Sequence, residues 1–346
     1  MNKKILFTFT LILSTLALFS GNPDRQGEAG AGELLFNPWA RSAGLHSMNT
    51  SSIGGVEAMR LNVAGIGRIE GKELLLGNTR LYEGSSLGLN SGGFVTKVGE
   101  NGAIGFSLVA VDFGDNLVTT TDQPGGTGAT FSPGYFHLGI GYAHTYENKI
   151  SVGVLFRSIS ESLTDVSALG FAVDAGVQYV SGENDEFKLG ISLRNVGTPM
   201  SFGGPGLSTQ VPAPDANIDY PITVDQRADV FELPSMLNVG ISYDLHFSEQ
   251  VYMRVLGNFT SNAFARDQIG GGAEIYLLDK FAIRGGYKHE LSNTVGTENI
   301  YDGFAGGVSF DVPLQKAGDT KLGLDYAYRT TRHFRGTHNL SLRLSF

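Results

Sequence analysis

The sequence predicts an all-β fold: a 14-stranded antiparallel transmembrane β-barrel with an N-terminal hatch inside its lumen. Three observations lead there. First, Leu340, Leu342, Leu344 and Phe346 share one face of the final segment, while Asn339, Ser341, Arg343 and Ser345 share the other. A strand with one face for lipid and one for a polar interior, closing on an aromatic, is built this way; Leu342, Leu344 and Phe346 read as the assembly signal of such a barrel. Second, from Lys72 onward, segments of about ten residues alternate apolar with small or polar side chains, and a tilted spanning strand needs about 9–11. Third, every second connector is short, whereas the others include two long ones, 114–134 and 197–234. Short inner turns opposite longer external loops are a barrel pattern.

The elements follow in order. Residues 1–20 read as a secretory signal, with Lys3 and Lys4 ahead of an apolar run from Ile5 to Phe19. Residues 21–71 read as a hatch folded inside the barrel, the alternative being a disordered periplasmic tail. Trp39, Leu45, Met48, Val56, Met59 and Leu61 give it apolar material to bury inside the barrel. Residues 72–346 form the wall. Its strands are expected at 72–82, 87–98, 102–113, 135–147, 149–160, 167–181, 186–196, 235–247, 249–260, 266–278, 280–290, 302–314, 319–330 and 336–346. Closure is required because an open edge in lipid leaves backbone groups unsatisfied. In 237–247, Leu237, Val239, Ile241, Tyr243 and Leu245 oppose Asn238, Gly240, Ser242, Asp244 and His246. Tyr and Phe gather near segment ends, as an interfacial girdle requires. Val109 and Val111 break the alternation of the third segment, so its inner side is expected to meet something apolar.

Composition narrows function. The 346 residues contain 48 Gly, 22 Phe and 13 Tyr, and disordered chains are poor in aromatics. Cysteine is absent, which excludes disulfide, thiolate-metal and thiol-nucleophile chemistry and a lipoprotein anchor. The net charge of −9 becomes −11 once Lys3 and Lys4 leave with the signal, which argues against a nucleic-acid partner. Gly125-Gly126-Thr127-Gly128 lacks a following Lys-Ser/Thr and opens no helix, so it is no phosphate cradle. None of the histidines has metal-ligand spacing. His338 and Ser341 fall on opposite faces and cannot form a nucleophile–base pair. No enzyme, metal site or cofactor is expected; the surrounding partner is outer-membrane lipid.

Parity places Arg157, Asp174, Arg194, Asp244, Arg254, Glu274, Arg284, Asp325 and Arg343 toward the lumen. They read as a self-satisfying network that pins the hatch in preference to a polar channel, because unpaired buried charge is costly. Phe131, Pro199, Met200, Phe202, Leu207, Tyr220 and Phe231 lie on the long connectors. Two readings of them stand side by side: contact with a protein partner, or folding back to cap the barrel.

Val56 to Ile66 resembles the hatch motif of the FadL-like barrels, Asn-Pro-Ala-Gly-Leu. Asn62, Ala64 and Gly65 match, while Val63 replaces the proline and Ile66 the leucine. Within that fold, several stretches resemble the PorV/PorQ family of the Bacteroidota. They include Asn37-Pro38-Trp39-Ala40-Arg41-Ser42, Asp112-Phe113-Gly114-Asp115, Phe131-Ser132-Pro133, Asn195-Val196-Gly197-Thr198-Pro199-Met200 and Phe231-Glu232-Leu233-Pro234-Ser235. Arg284-Gly285-Gly286-Tyr287, Asp325-Tyr326-Ala327-Tyr328-Arg329 and Gly336-Thr337-His338 extend the likeness over nearly the whole chain beyond the signal. The resemblance implies an outer-membrane barrel of the type IX secretion system, with a translocon or attachment-complex protein and the C-terminal domains of secreted cargo as partners. The alternative is a FadL-type carrier of hydrophobic small molecules. It predicts an apolar pocket between hatch and wall, and a lateral gap near Asn62-Val63 and the third segment.

Overall fold

The computed structural model describes residues 25–213, 220–248, 250–278, 280–291, 300–301, 303–314 and 320–346. The expected signal at 1–20 and residues 214–219 of the long connector at 197–234 lie outside the described residues. The wall begins with β1 (Lys72–Arg80), β2 (Gly88–Val98), β3 (Gly102–Asp112), β4 (Gly134–Tyr146) and β5 (Ile150–Leu163). It continues through β6 (Val166–Ser181), β7 (Phe187–Gly197), β8 (Met236–Ser248), β9 (Val251–Asn262) and β10 (Gln268–Leu277). β11 (Phe281–Glu290), β12 (Gly303–Pro313), β13 (Lys321–Arg329) and β14 (Thr337–Ser345) complete it. Each strand pairs with its neighbours, and β14 returns to β1 with Leu344 opposite Leu74 and Leu342 opposite Leu76. The result is a closed, antiparallel 14-stranded barrel.

The period of two runs through the wall. Along β4, Phe136, Leu138, Ile140 and Tyr142 are exposed on the outside, while Tyr135, His137, Gly139 and Gly141 are buried inside. Leu340 and Leu342 on β14 are likewise exposed, opposite buried Asn339 and Ser341. Among the described residues nothing covers this outward band, which suits acyl chains. Tyr146, Tyr287, Phe247 and Phe304 stand exposed at strand ends.

The N-terminal segment packs inside the cylinder. It contains two single-turn helices, α1 (Ala40–Ala43) and α2 (Ala58–Leu61), and a 3-10 stretch at Val63–Arg68. Trp39, Leu45, Met48, Val56, Met59 and Leu61 are all buried. Val56, Met59, Val63 and Ile66 join Leu75, Val95, Ala143 and Leu155 of the wall in one apolar cluster. The inner wall is floored with glycine where this segment comes closest. A Cβ at Gly153 would sit 2.8 Å from the Ala64 amide nitrogen, and one at Gly105 would sit 2.6 Å from Met59 Sδ. Much of the glycine excess is therefore room for a second layer of backbone.

β3 pairs along its whole length with β2 and with β4, without a shift of register. The lateral gap sought there is absent. Val109 and Val111 point into an apolar cluster with Leu34, Leu81, Leu89, Ile159, Met200 and Leu233, which is why the alternation of the third segment fails. The one break in the β6–β7 ladder lies between Val173 and Ala175, where Asp174 faces both Arg194 and Asn195. Asn195 takes a φ of +58°, and both residues turn inward. This is a β-bulge, and it re-aims side chains.

Candidate functional site: a cationic cavity above the plug

Asn62, Val63 and Ala64 of the hatch motif couple plug to wall, whereas Gly65 packs within the plug. Asn62 accepts from the Ala64 amide at 3.3 Å and donates to the carbonyls of Thr50 (2.9 Å) and Val177 (3.1 Å). Ala64 is fully buried, Val63 packs toward Gly141 and Gly153, and a Cβ at Gly65 would meet Ala58 Cβ at 2.9 Å. The Asn62-Val63 junction is thus closed by bonded groups and opens no pocket.

The lumenal charges form a belt with a pin. Lys188 and Arg254 hold Asp244 at 2.5 and 2.6 Å, and Arg254 approaches Glu274 at 3.7 Å. Arg284 bonds Glu274 at 2.8 Å and donates to Ser309 at 2.8 Å; Ser309 donates to Asp325. Arg343 bonds Asp311 at 2.6 Å and lies 3.6 Å from Asp325. The belt runs across consecutive strands from β7 to β14. Arg41 of the plug reaches Glu57 (3.3 Å), Glu73 (3.8 Å) and Asp325 (3.9 Å). Burial works against that charge, but the three carboxylates outweigh it and hold Arg41 well above the ordinary guanidinium range. Arg157 and Asp174 form a separate pair at 2.5 Å, with Asp174 also accepting the Asn195 amide at 2.7 Å.

Arg194 is a correction to the network expected from parity. Among the described residues it bonds no carboxylate; it donates to Met236 Sδ at 3.4 Å. It faces a cavity of about 220 Å³ at the long-loop end of the barrel, between plug and wall. The plug contributes Leu35, Phe36, Asn37, His46, Arg60 and Leu61. The wall contributes Arg194, Met236, Asn238, Thr260, Gln268, Lys288 and Arg329, and the loops add Tyr82 and Tyr301. Burial, with Arg194 and Arg157 close by, holds Arg60 well below the usual guanidinium range. Burial, with Lys288 and Arg329 nearby, lowers His46 to about 3.

Sequence reasoning missed His46, Arg60, Lys288 and Arg329. Lys288 and Arg329 share inward parity with Arg284 and Asp325, a usable signal. His46 and Arg60 lie in a segment without periodicity, where none exists.

The loop candidates separate. Met200 is a further correction: it is buried against Gly170 and within the apolar cluster, so it is not available for docking. Phe202 and Phe231 pack in a tilted pair with ring centroids 5.8 Å apart and lie on the same cluster. Phe131 is half-buried in a short pair with Asn116. Pro199 and Tyr220 are exposed, and Leu207 is half-buried. His338 faces outward, 2.7 Å from the Tyr326 hydroxyl, whereas Ser341 faces inward and accepts the Ala40 amide at 3.0 Å.

Comparison with solved structures places this architecture. The monoaromatic hydrocarbon channel CymD superposes with a TM-score of 0.58 at 15% identity, over 90% of this chain and 98% of that one. The fold is that of a FadL-like barrel. The Pseudomonas putida toluene transporter TodX gives a TM-score of 0.52 at 14% identity, over 85% and 93% of the two chains. A Pseudomonas aeruginosa FadL homologue gives 0.51 at 12%, over 89% and 97%. No protein-family model matches the chain. No curated protein sequence matches it either. At these identities the FadL-like likeness concerns architecture.

Proposed function

We propose that this protein is an outer-membrane uptake barrel. Small molecules enter the lumen from the long-loop side and occupy the cavity against the plug. They pass on when the plug shifts. The observation that carries this reading is the cavity itself: a concave, partly apolar chamber with convergent polar groups, bounded below by a separate segment of chain. The plug is fixed by hydrogen bonds and ion pairs to the wall, so passage requires a second arrangement of that segment. Osmotic swelling of proteoliposomes tests it. The wild-type barrel should admit small solutes faster than Asn238→Phe, which fills the cavity; equal swelling by the two would count against uptake.

A second reading keeps the PorV/PorQ resemblance: docking of a type IX translocon or attachment partner, or of cargo. One observation favours it. Ser208–Pro212 pairs with Pro221–Asp225 as a two-stranded arm whose Thr209, Gln210, Tyr220 and Val224 are exposed. Deleting 205–226 should then abolish co-purification with a translocon barrel, and retained co-purification would speak against docking.

A further inference from the structure

The cavity collects positive charge, and the carboxylate nearest in effect, Asp174, stands outside its lining and is held by Arg157. Arg60, Arg194, Lys288 and Arg329 line it, and among the described residues no carboxylate does. The three arginines are 5%, 6% and 4% exposed. One N–H of each meets no acceptor: Arg60 Nη1, Arg194 Nε and Arg329 Nε. Asn238 Nδ2, on the same surface, is also an unmet donor. The bonds these arginines do make go to neutral atoms. Arg60 donates to the carbonyls of Phe36 (2.9 Å) and Leu34, and Arg329 approaches the Asn37 carbonyl at 3.4 Å. The deficit is local, because Arg157, Arg254, Arg284 and Arg343 each hold a carboxylate elsewhere in the same lumen.

Unpaired buried charge carries a penalty of several kcal/mol per ion. A ligand bringing negative charge offsets it. The unmet guanidinium and amide groups are donors, and the unmet His46 Nε2 on the same surface donates or accepts by tautomer, so the matching partner is an acceptor-rich anion. A carboxylate offers one charge and two oxygens against four cations and at least three free guanidinium N–H groups. A phosphate monoester carries nearly two charges at pH 7 and three terminal oxygens, and guanidinium forks suit it. Phe36, Tyr82, Met236 and Tyr301 supply an apolar side for the rest of the molecule. We propose that the cavity is a binding site for small phosphate monoesters with an apolar body. The inference rests on the uptake reading for the ligand's route and adds the ligand's chemistry.

Calorimetry on the full chain in detergent micelles at pH 7.5 tests it, with phenyl phosphate as probe and benzoate as the singly charged comparison at equal ionic strength. Phenyl phosphate should bind saturably and about ten-fold or more tighter than benzoate, a difference of about 1.4 kcal/mol. Arg194→Gln and Lys288→Gln should each weaken it by about ten-fold, with heat-modifiable gel migration reporting that the barrel is folded. The Lys288 side chain makes no hydrogen bond to the described residues, and its backbone keeps its pairing with Gly270 and Gly303 in the variant, so its replacement leaves the wall intact. Benzoate binding as tightly as phenyl phosphate, absence of saturable binding, or folded variants with unchanged affinity would each overturn the proposal. Proteoliposome influx separates the two levels. Phenyl phosphate that binds but is not admitted upholds the site and sinks uptake. Influx of neutral solutes without phosphate binding sinks the site and leaves uptake standing.

Discussion

Asp174→Asn should destabilise the barrel by roughly 3–5 kcal/mol. Asp174 occupies the bulge where one residue of β6 faces two of β7. Its Oδ2 lies 2.5 Å from Arg157 Nη2, and its Oδ1 accepts the Asn195 amide at 2.7 Å. Arg157 also donates to Asn195 Oδ1 at 2.7 Å, and Asn195 donates to the Pro234 carbonyl at 2.9 Å. The carboxylate thus ties three elements: the β6–β7 bulge, β5, and the root of the long loop. The side chains of Arg157 and Asp174 are 1% and 4% exposed, so water cannot replace the lost charge. Breaking a buried pair from one side costs roughly 3–5 kcal/mol, because the remaining ion stays buried. Replacing both partners with apolar residues of similar volume is often close to neutral. The Arg157→Met/Asp174→Leu double variant should therefore recover a good part of the loss, at least about 2 kcal/mol of coupling. Urea titration of detergent-folded barrels, followed by tryptophan fluorescence from the only Trp, Trp39, reads the difference. An Asp174→Asn barrel within about 0.5 kcal/mol of wild type, the range of ordinary surface changes, would refute the argument.

Other consequences are simpler. Gly153→Leu puts a side chain where the Ala64 amide stands 2.8 Å from the Cβ position, so the plug should lift and become sensitive to added protease while the wall stays resistant. Deleting Phe346 removes the reciprocal bonds between its backbone and Lys72 (2.7 and 2.9 Å) that finish the β14–β1 seam, and the yield of heat-modifiable barrel in the outer membrane should fall. His46 is held at about 3 in the folded chain, chiefly by burial, against an ordinary value near 6.5. Between those values the unfolded chain binds the extra proton, so stability falls as pH drops from about 6.5 toward 3. His46→Gln should lose less over that window, read as melting temperature against pH; parallel curves for the two proteins would contradict it.

The wall was legible because a strand in lipid has only two faces, and a two-residue period records them. The 319–330 segment settles as β13 over Lys321–Arg329, and 336–346 settles as β14 over Thr337–Ser345. The same parity put Arg157 and Asp174 inside, where they pair. Parity gives the face of a residue and not its depth or its neighbours. Arg194 lies on the inner face as expected, yet the bulge beside it gives Asp174 to Arg157 and Asn195 and leaves Arg194 to the cavity. Arg60 and His46 belong to a plug of single-turn helices and irregular chain, where no repeat marks a buried side. Met200 sits on a loop between prolines, and only the apolar cluster formed by Leu34, Val109 and Leu233 shows that it folds inward.

Uptake, as proposed, requires a plug that moves for a solute to pass. The chain has no cysteine, so an introduced pair is unambiguous. A Cβ at Gly44 of the plug would lie 3.2 Å from Gly307 Cα in β12, and one at Gly307 would lie 3.4 Å from Gly44 Cα, within reach of a disulfide. The Gly44→Cys/Gly307→Cys barrel, oxidised in proteoliposomes, should exclude small solutes and admit them again after reduction. A fully cross-linked barrel that swells at the wild-type rate would contradict the account.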